Sequence, residues 1–213
     1  MSHLFDADNP VMSFLGRAAD LVLLNLLTLV CCIPVVTAGA AFTALYYVCI
    51  KMIRSEDSYL TRSYFKSFKE NFLQATALWL LMLAMIAVAW ADFYFISVIS
   101  GSAAFIMRVV VCAFLFFFLC SSIYCFPLLS RFENSLKNII KNSCLLGIMN
   151  FPKSLCILAI YGIFGTVYAL FYLWLMPLIF FLGISVPVYL ASWLFSGIFK
   201  KLEPAEEEIS ESV

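Results

Sequence analysis

The chain has 213 residues, 64% of them hydrophobic and only 12% charged, with 13 basic and 13 acidic side chains and no net charge. A soluble domain is about half apolar and about a quarter charged, and one of this size has too little interior to hide so much apolar surface. The composition therefore excludes an ordinary soluble domain, and the charge balance excludes a basic nucleic-acid binder. A membrane removes the difficulty, since roughly 20 mostly apolar residues cross its hydrocarbon core.

The first ten residues carry Asp6 and Asp8 but no Lys or Arg, so they lack the basic start of a cleavable signal peptide. Asn9-Pro10 is a good helix start, with Asn as cap and Pro in the first turn. The first span is expected over about 11–33. Pro34 stops or bends it, because proline has no amide hydrogen and clashes with the preceding turn. The stretch Pro34 to Gly39 reads as a break, and Thr37 as the cap of a second span over about 37–54. Whether this unit is one bent span or two decides between five and six spans in all.

A charged stretch, Lys51 to Glu70, follows. Within it Leu60, Tyr64, Phe68 and Phe72 recur every four residues, with Phe65 beside them and Arg62, Lys66 and Lys69 on the other side. That pattern predicts an amphipathic helix. It is expected to lie on the membrane surface, rings in the acyl boundary and cations near anionic headgroups. Arg62, Phe65, Lys66, Phe68 and Lys69 form the candidate membrane-surface or partner face.

Two spans over about 74–96 and 106–129 form a hairpin that turns near Ser97 to Ser102. A second charged stretch, Arg131 to Lys153, places Leu136, Ile139, Ile140 and Ser143 on one helical face. Spans over about 155–175 and 178–199 form a second hairpin, turned near Met176-Pro177. A basic surface helix thus precedes a hairpin twice, a loose internal repeat without matching residue identities. The expected organisation is one transmembrane helical domain over 1–202 and an acidic, disordered tail over 203–213. The expected fold class is all-α, a polytopic transmembrane bundle of five or six spans with amphipathic helices on the cytoplasmic side. Eleven of the thirteen cations lie in the two charged stretches and at Lys200 and Lys201, and none in the two hairpin turns. The positive-inside rule therefore puts the charged stretches and the C-terminus in the cytoplasm, in the cell membrane.

Chemistry-bearing motifs are sparse. The eight cysteines include no CxxC pair and mostly sit in apolar runs, where Cys behaves as a small hydrophobe. His3 is the one histidine, too few for a zinc site or a triad with these thiols. No phosphate-binding loop, HExxH or GxSxG motif occurs. No catalytic residue, cofactor or metal is expected. Polar groups inside spans are better leads, because a charge near the bilayer centre costs roughly 2.5–3.5 kcal/mol. The candidate buried polar or structural residues are Arg17, Asp20, Asn25, Pro34, Gly39, Asp92 and Arg108. Arg17 and Asp20, three apart, are positioned to pair. Asp92 and Arg108, equally far from the first hairpin turn, are expected to approach each other near the outer surface. Tyr46, Tyr47, Tyr59, Trp174, Tyr189 and Trp193 are candidates for interfacial belts. Gly162 and Gly165, near Ala159 and Ala169, permit close helix packing.

The runs Leu4 to Pro10, Arg17 to Asp20, Leu24 to Leu26, Cys32 to Gly39, Thr43 to Tyr47, Tyr64 to Thr76 and Phe126 to Glu133 together resemble the bacterial YesL family of integral membrane proteins. The resemblance implies no established biochemical activity and no catalytic residues. It implies an association with carbohydrate uptake systems of the ABC type, beside which such proteins are often encoded. The expected role is thus a non-enzymatic accessory protein with the lipid bilayer and ABC transporter subunits as partners. The alternative is a small transporter or channel, with the Pro34 break, Asp20 and Asn25 framing a midplane site.

Overall fold

A computed structural model describes residues 10–56, 59–98, 102–132, 134–200 and 202. The acidic tail, His3 and the first hairpin's turn over 99–101 lie outside them. All described secondary structure is helical: α1 Pro10–Cys32, α2 Ala38–Ile53, α3 Leu60–Glu70, α4 Phe72–Val98, α5 Ser102–Arg131, α6 Leu136–Met149, α7 Phe151–Leu182 and α8 Ser185–Phe199. Five segments are long and apolar enough to cross a membrane: Phe14–Cys32, Val35–Ile53, Phe72–Phe95, Phe105–Arg131 and Phe151–Phe171. A sixth forms if Leu173–Leu182 and Ser185–Phe199, bent by 53° at their break, count as one span. The fold is the all-α, five-or-six-span bundle the composition demands.

The ambiguity between five and six sits elsewhere than expected. The Pro34 break cleanly separates two span-length helices. The broken unit is the last one. No turn forms at Met176-Pro177; helix runs through Pro177, non-helical backbone occurs at Phe171, and the chain bends again between Leu182 and Ser185. In lipid every backbone group needs an internal partner, which favours continuing a helix through proline over opening a turn.

α2 is the central helix, with 61% of its span buried against 11–22% for the other four spans. Its first turns, Ala38, Gly39, Ala40, Ala41 and Ala44, are small and buried, so neighbours approach its backbone closely. Gly39 marks the tightest point. A Cβ built there would lie 2.5 Å from the Ala75 carbonyl oxygen and 2.6 Å from the Trp79 Cβ on α4. Around α2 the core includes Tyr124 and Leu128 from α5, Phe132 just beyond it, and Phe195 and Phe199 from α8. The outer faces carry the exposed Trp90, Phe105, Leu170 and Trp174, as lipid contact requires.

The two charged stretches pack one face each against the bundle. α3 turns its aromatic stripe inward: Tyr64 is fully buried, Phe68 half-buried, and their rings stack at 6.5 Å. The Tyr64 hydroxyl donates to the Ala41 carbonyl of α2 at 3.3 Å, and burial pushes its phenol well above the usual tyrosine range. This corrects the expectation of rings in the acyl boundary. The small residues of α2 offer the stripe a protein surface to pack on, which periodicity alone does not reveal. α6 folds back antiparallel along the end of α5, with Gly147 against Cys120 and Ile139 and Ser143 buried.

Two helix junctions are alike. α3 meets α4 at Asn71-Phe72 and α6 meets α7 at Asn150-Phe151. Each Asn side chain donates back one turn, to Ser67 O at 3.0 Å and to Leu146 O at 3.4 Å.

Candidate functional site

Three polar assemblies organise the bundle. The first is the break in the last helical unit. Asn25, fully buried on α1, donates from Nδ2 to the Phe180 carbonyl at 2.7 Å. Its Oδ1 accepts from the Ile184 and Ser185 amides at 2.8 and 2.9 Å. Tyr168 donates to the Gly183 carbonyl at 3.1 Å. A helix end leaves amides and carbonyls without intrahelical partners. Here one asparagine from a distant helix supplies partners to both sides of the break, as a cap does for α8.

The second assembly closes the Pro34 break. Thr37 does not cap α2. Its hydroxyl lies 2.5 Å from the Cys31 carbonyl and 2.8 Å from that of Pro34, and so serves the end of α1. Trp79 of α4 donates to the Val35 carbonyl at 2.8 Å. Pro34 itself is exposed, whereas Gly39 is buried at the crossing. Nearby in the core, the hydroxyls of Tyr46 and Tyr161 join α2 to α7, and Tyr124 and Ser154 join α5 to α7 at 3.0 Å. Tyr46 is thus a core residue rather than part of an interfacial belt. Trp174, Trp193 and Tyr59 are exposed, and Tyr47 and Tyr189 half-buried.

The third assembly gathers charge at one end of the bundle. Arg131, at the end of α5, makes a two-pronged contact with Glu56 beyond α2, at 2.9 and 3.1 Å. Arg54 lies 3.9 Å from the same carboxylate and donates to Ser196 of α8 at 3.3 Å. Both charged stretches and α8 therefore meet here. Beside this lock opens a cleft of about 1100 Å³, where Arg17 and Asp20 of α1, Lys51 of α2 and Arg62 and Phe65 of α3 converge. A second cleft of about 690 Å³ lies on the other flank, between Lys66, Asn71 and Gln74 on one side and Arg131 and Asn134 on the other.

Sequence reasoning placed Asn25 and Gly39 inside correctly. Asp92, Arg108 and Arg17 are exposed, not buried. Asp92 and Arg108 lie within two turns of their helix ends, and the long Arg108 side chain can reach a polar boundary from there without protein cover. No salt bridge joins them, and none joins Arg17 to Asp20, among the described residues. Arg62, Phe65, Lys66 and Lys69 are exposed on α3, with Phe68 half-buried against the bundle. Glu56, Trp79, Tyr161, Tyr168 and Ser196 escaped notice. For Glu56 a signal existed, an acid two residues from Arg54 amid a basic run; for the others none did. All eight cysteines are free thiols, and no cluster of three or more metal-ligating side chains occurs among the described residues.

The fold and its internally satisfied helix breaks define a multi-pass helical membrane protein. Residues 21–93, from the middle of α1 to near the end of α4, match the model of the family described as "Protein of unknown function, DUF624", the family in which YesL-like proteins are placed. No curated protein and no solved structure matches the chain.

Proposed function

We propose that the protein is a non-enzymatic accessory component of a carbohydrate uptake system of the ABC type, acting through a charged end that faces the cytoplasm of a bacterial cell. The observation that carries the non-catalytic part is the state of the polar groups within the spans. Asn25, Thr37, Trp79 and Tyr168 use their hydrogen-bonding groups on the backbone of their own bundle. They hold broken helices together and do not converge on a reacting centre. At the charged end, by contrast, Lys66 and Lys69 of α3 are exposed beside Phe65. The resemblance to YesL-like proteins supplies the transporter as partner, and the excess of cations in the charged stretches supplies the orientation. Affinity capture from native membranes with the full chain is the test. Transporter membrane subunits should co-purify, and Lys66→Gln with Lys69→Gln should diminish their recovery. Recovery of lipid and unrelated proteins alone would sink the proposal.

One observation favours a second reading, a small transporter in its own right. Discontinuous helices are a feature of transporter binding sites, and the break at Gly183-Ile184 is one. Solute flux into liposomes holding only this protein would establish it. Absence of flux across a broad panel of sugars and ions would dismiss it.

A further inference from the structure

The cleft between α1, α2 and α3 presents an arrangement that folding does not account for. Arg17, Lys51 and Arg62 come from three different helices and face one space. None of the three takes part in an ion pair among the described residues. The Lys51 ammonium stands 5.2 Å from the centre of the Tyr47 ring. Two carboxylates also line the cleft. Glu56 is engaged by Arg131 and Arg54. Among the described residues Asp20 remains, one carboxylate against three cations.

The cleft is not purely polar. Leu23 and Phe65 are apolar, exposed and part of its wall. It adjoins the first apolar turns of the span Phe14–Cys32, the end at which a helix crossing a bilayer would meet the headgroups. A soluble anion would use the cations and leave these apolar walls wet. A lipid uses both, with phosphate in the cleft and acyl chains along α1, where Phe14 and Leu15 are exposed.

We infer that this cleft binds the headgroup of an anionic phospholipid, with Arg17, Lys51 and Arg62 holding the phosphate and Asp20 accepting from headgroup hydroxyls. Phosphatidylglycerol has that chemistry: a phosphodiester with one net negative charge and a glycerol bearing two donors. The site is separate from the Lys66 and Lys69 face. Its loss and the loss of a protein partner are therefore distinguishable.

The purified full chain is equilibrated with detergent micelles holding equal amounts of phosphatidylglycerol and phosphatidylcholine, and retained lipid is counted by native mass spectrometry. Phosphatidylglycerol should be retained in preference. The pair Lys51→Gln and Arg62→Gln should lower that retention roughly tenfold or more, since each cation near an anionic headgroup contributes about one unit of RT ln 5. Lys66→Gln, outside the cleft, should leave it unchanged. Should the double variant fail to fold, Arg62→Gln alone, at an exposed position, gives the same reading with a smaller drop. Equal retention of the two lipids by the unaltered protein, or full retention by these variants, overturns the inference. Displacement of the lipid by millimolar glycerol phosphate also overturns it, because the site would then take a soluble phosphate.

Discussion

Asn25 answers three backbone groups with one side chain. Replacing it by Ala leaves the Phe180 carbonyl and the Ile184 and Ser185 amides without partners in a buried setting. Buried unsatisfied groups cost about 1–3 kcal/mol each, while hydrogen bonds measured within membranes average near 0.6 kcal/mol. Asn25→Ala should therefore destabilise the fold by about 2–4 kcal/mol, read from denaturant unfolding in detergent. A loss under about 0.5 kcal/mol would mean that the break does not depend on it. The importance of this residue was legible in the sequence, since an amide inside a span demands a partner. Its partners were not, because they lie more than 150 positions away on a break that hydropathy does not mark. The Asp92 and Arg108 expectation rests on a weaker argument at the same scale. Equal distance from a turn gives equal depth, not contact. With no salt bridge between them, Asp92→Asn and Arg108→Gln should have effects on unfolding free energy that add within about 0.5 kcal/mol.

Among the elements, α2 sets the packing. Gly39→Ala inserts a methyl group where the α4 backbone at Ala75 already stands. Overpacking of this kind costs about 1–3 kcal/mol, and thermal unfolding in detergent should register it. Unchanged stability would show that α2 and α4 do not cross so closely. The start and end of most helices were legible, because Pro34 and the charged stretches punctuate the hydropathy. The environment of α3 was not. A stripe at every fourth residue says that Tyr64, Phe68 and Phe72 share a face, but whether lipid or protein meets that face depends on the small residues of α2. Four serine and threonine residues inside the spans follow a simpler rule. Thr28, Thr43, Ser122 and Thr166 each donate to the carbonyl four residues back, which satisfies them within their own helix.

At the scale of the molecule, charge separates from the apolar body and collects at one end. The Glu56 contact with Arg131 ties the first charged stretch to the second. Both side chains keep partial solvent exposure, at 35% and 21%, so screening limits the pair to about 1 kcal/mol of coupling in a Glu56→Gln and Arg131→Gln cycle. Coupling indistinguishable from zero in denaturant unfolding would mean that the lock is not formed in the membrane. The proposed partner face and the lipid cleft are both placed at this charged end, and the accessory role requires it to face the cytoplasm with Trp174 on the opposite side. Impermeant maleimide labelling of vesicles decides this, with single cysteines introduced as Lys69→Cys and Trp174→Cys in a chain whose native cysteines are replaced. Lys69→Cys should react only in inside-out vesicles and Trp174→Cys only in right-side-out ones. Reaction of both from the same side, or the reverse pattern, would contradict the account.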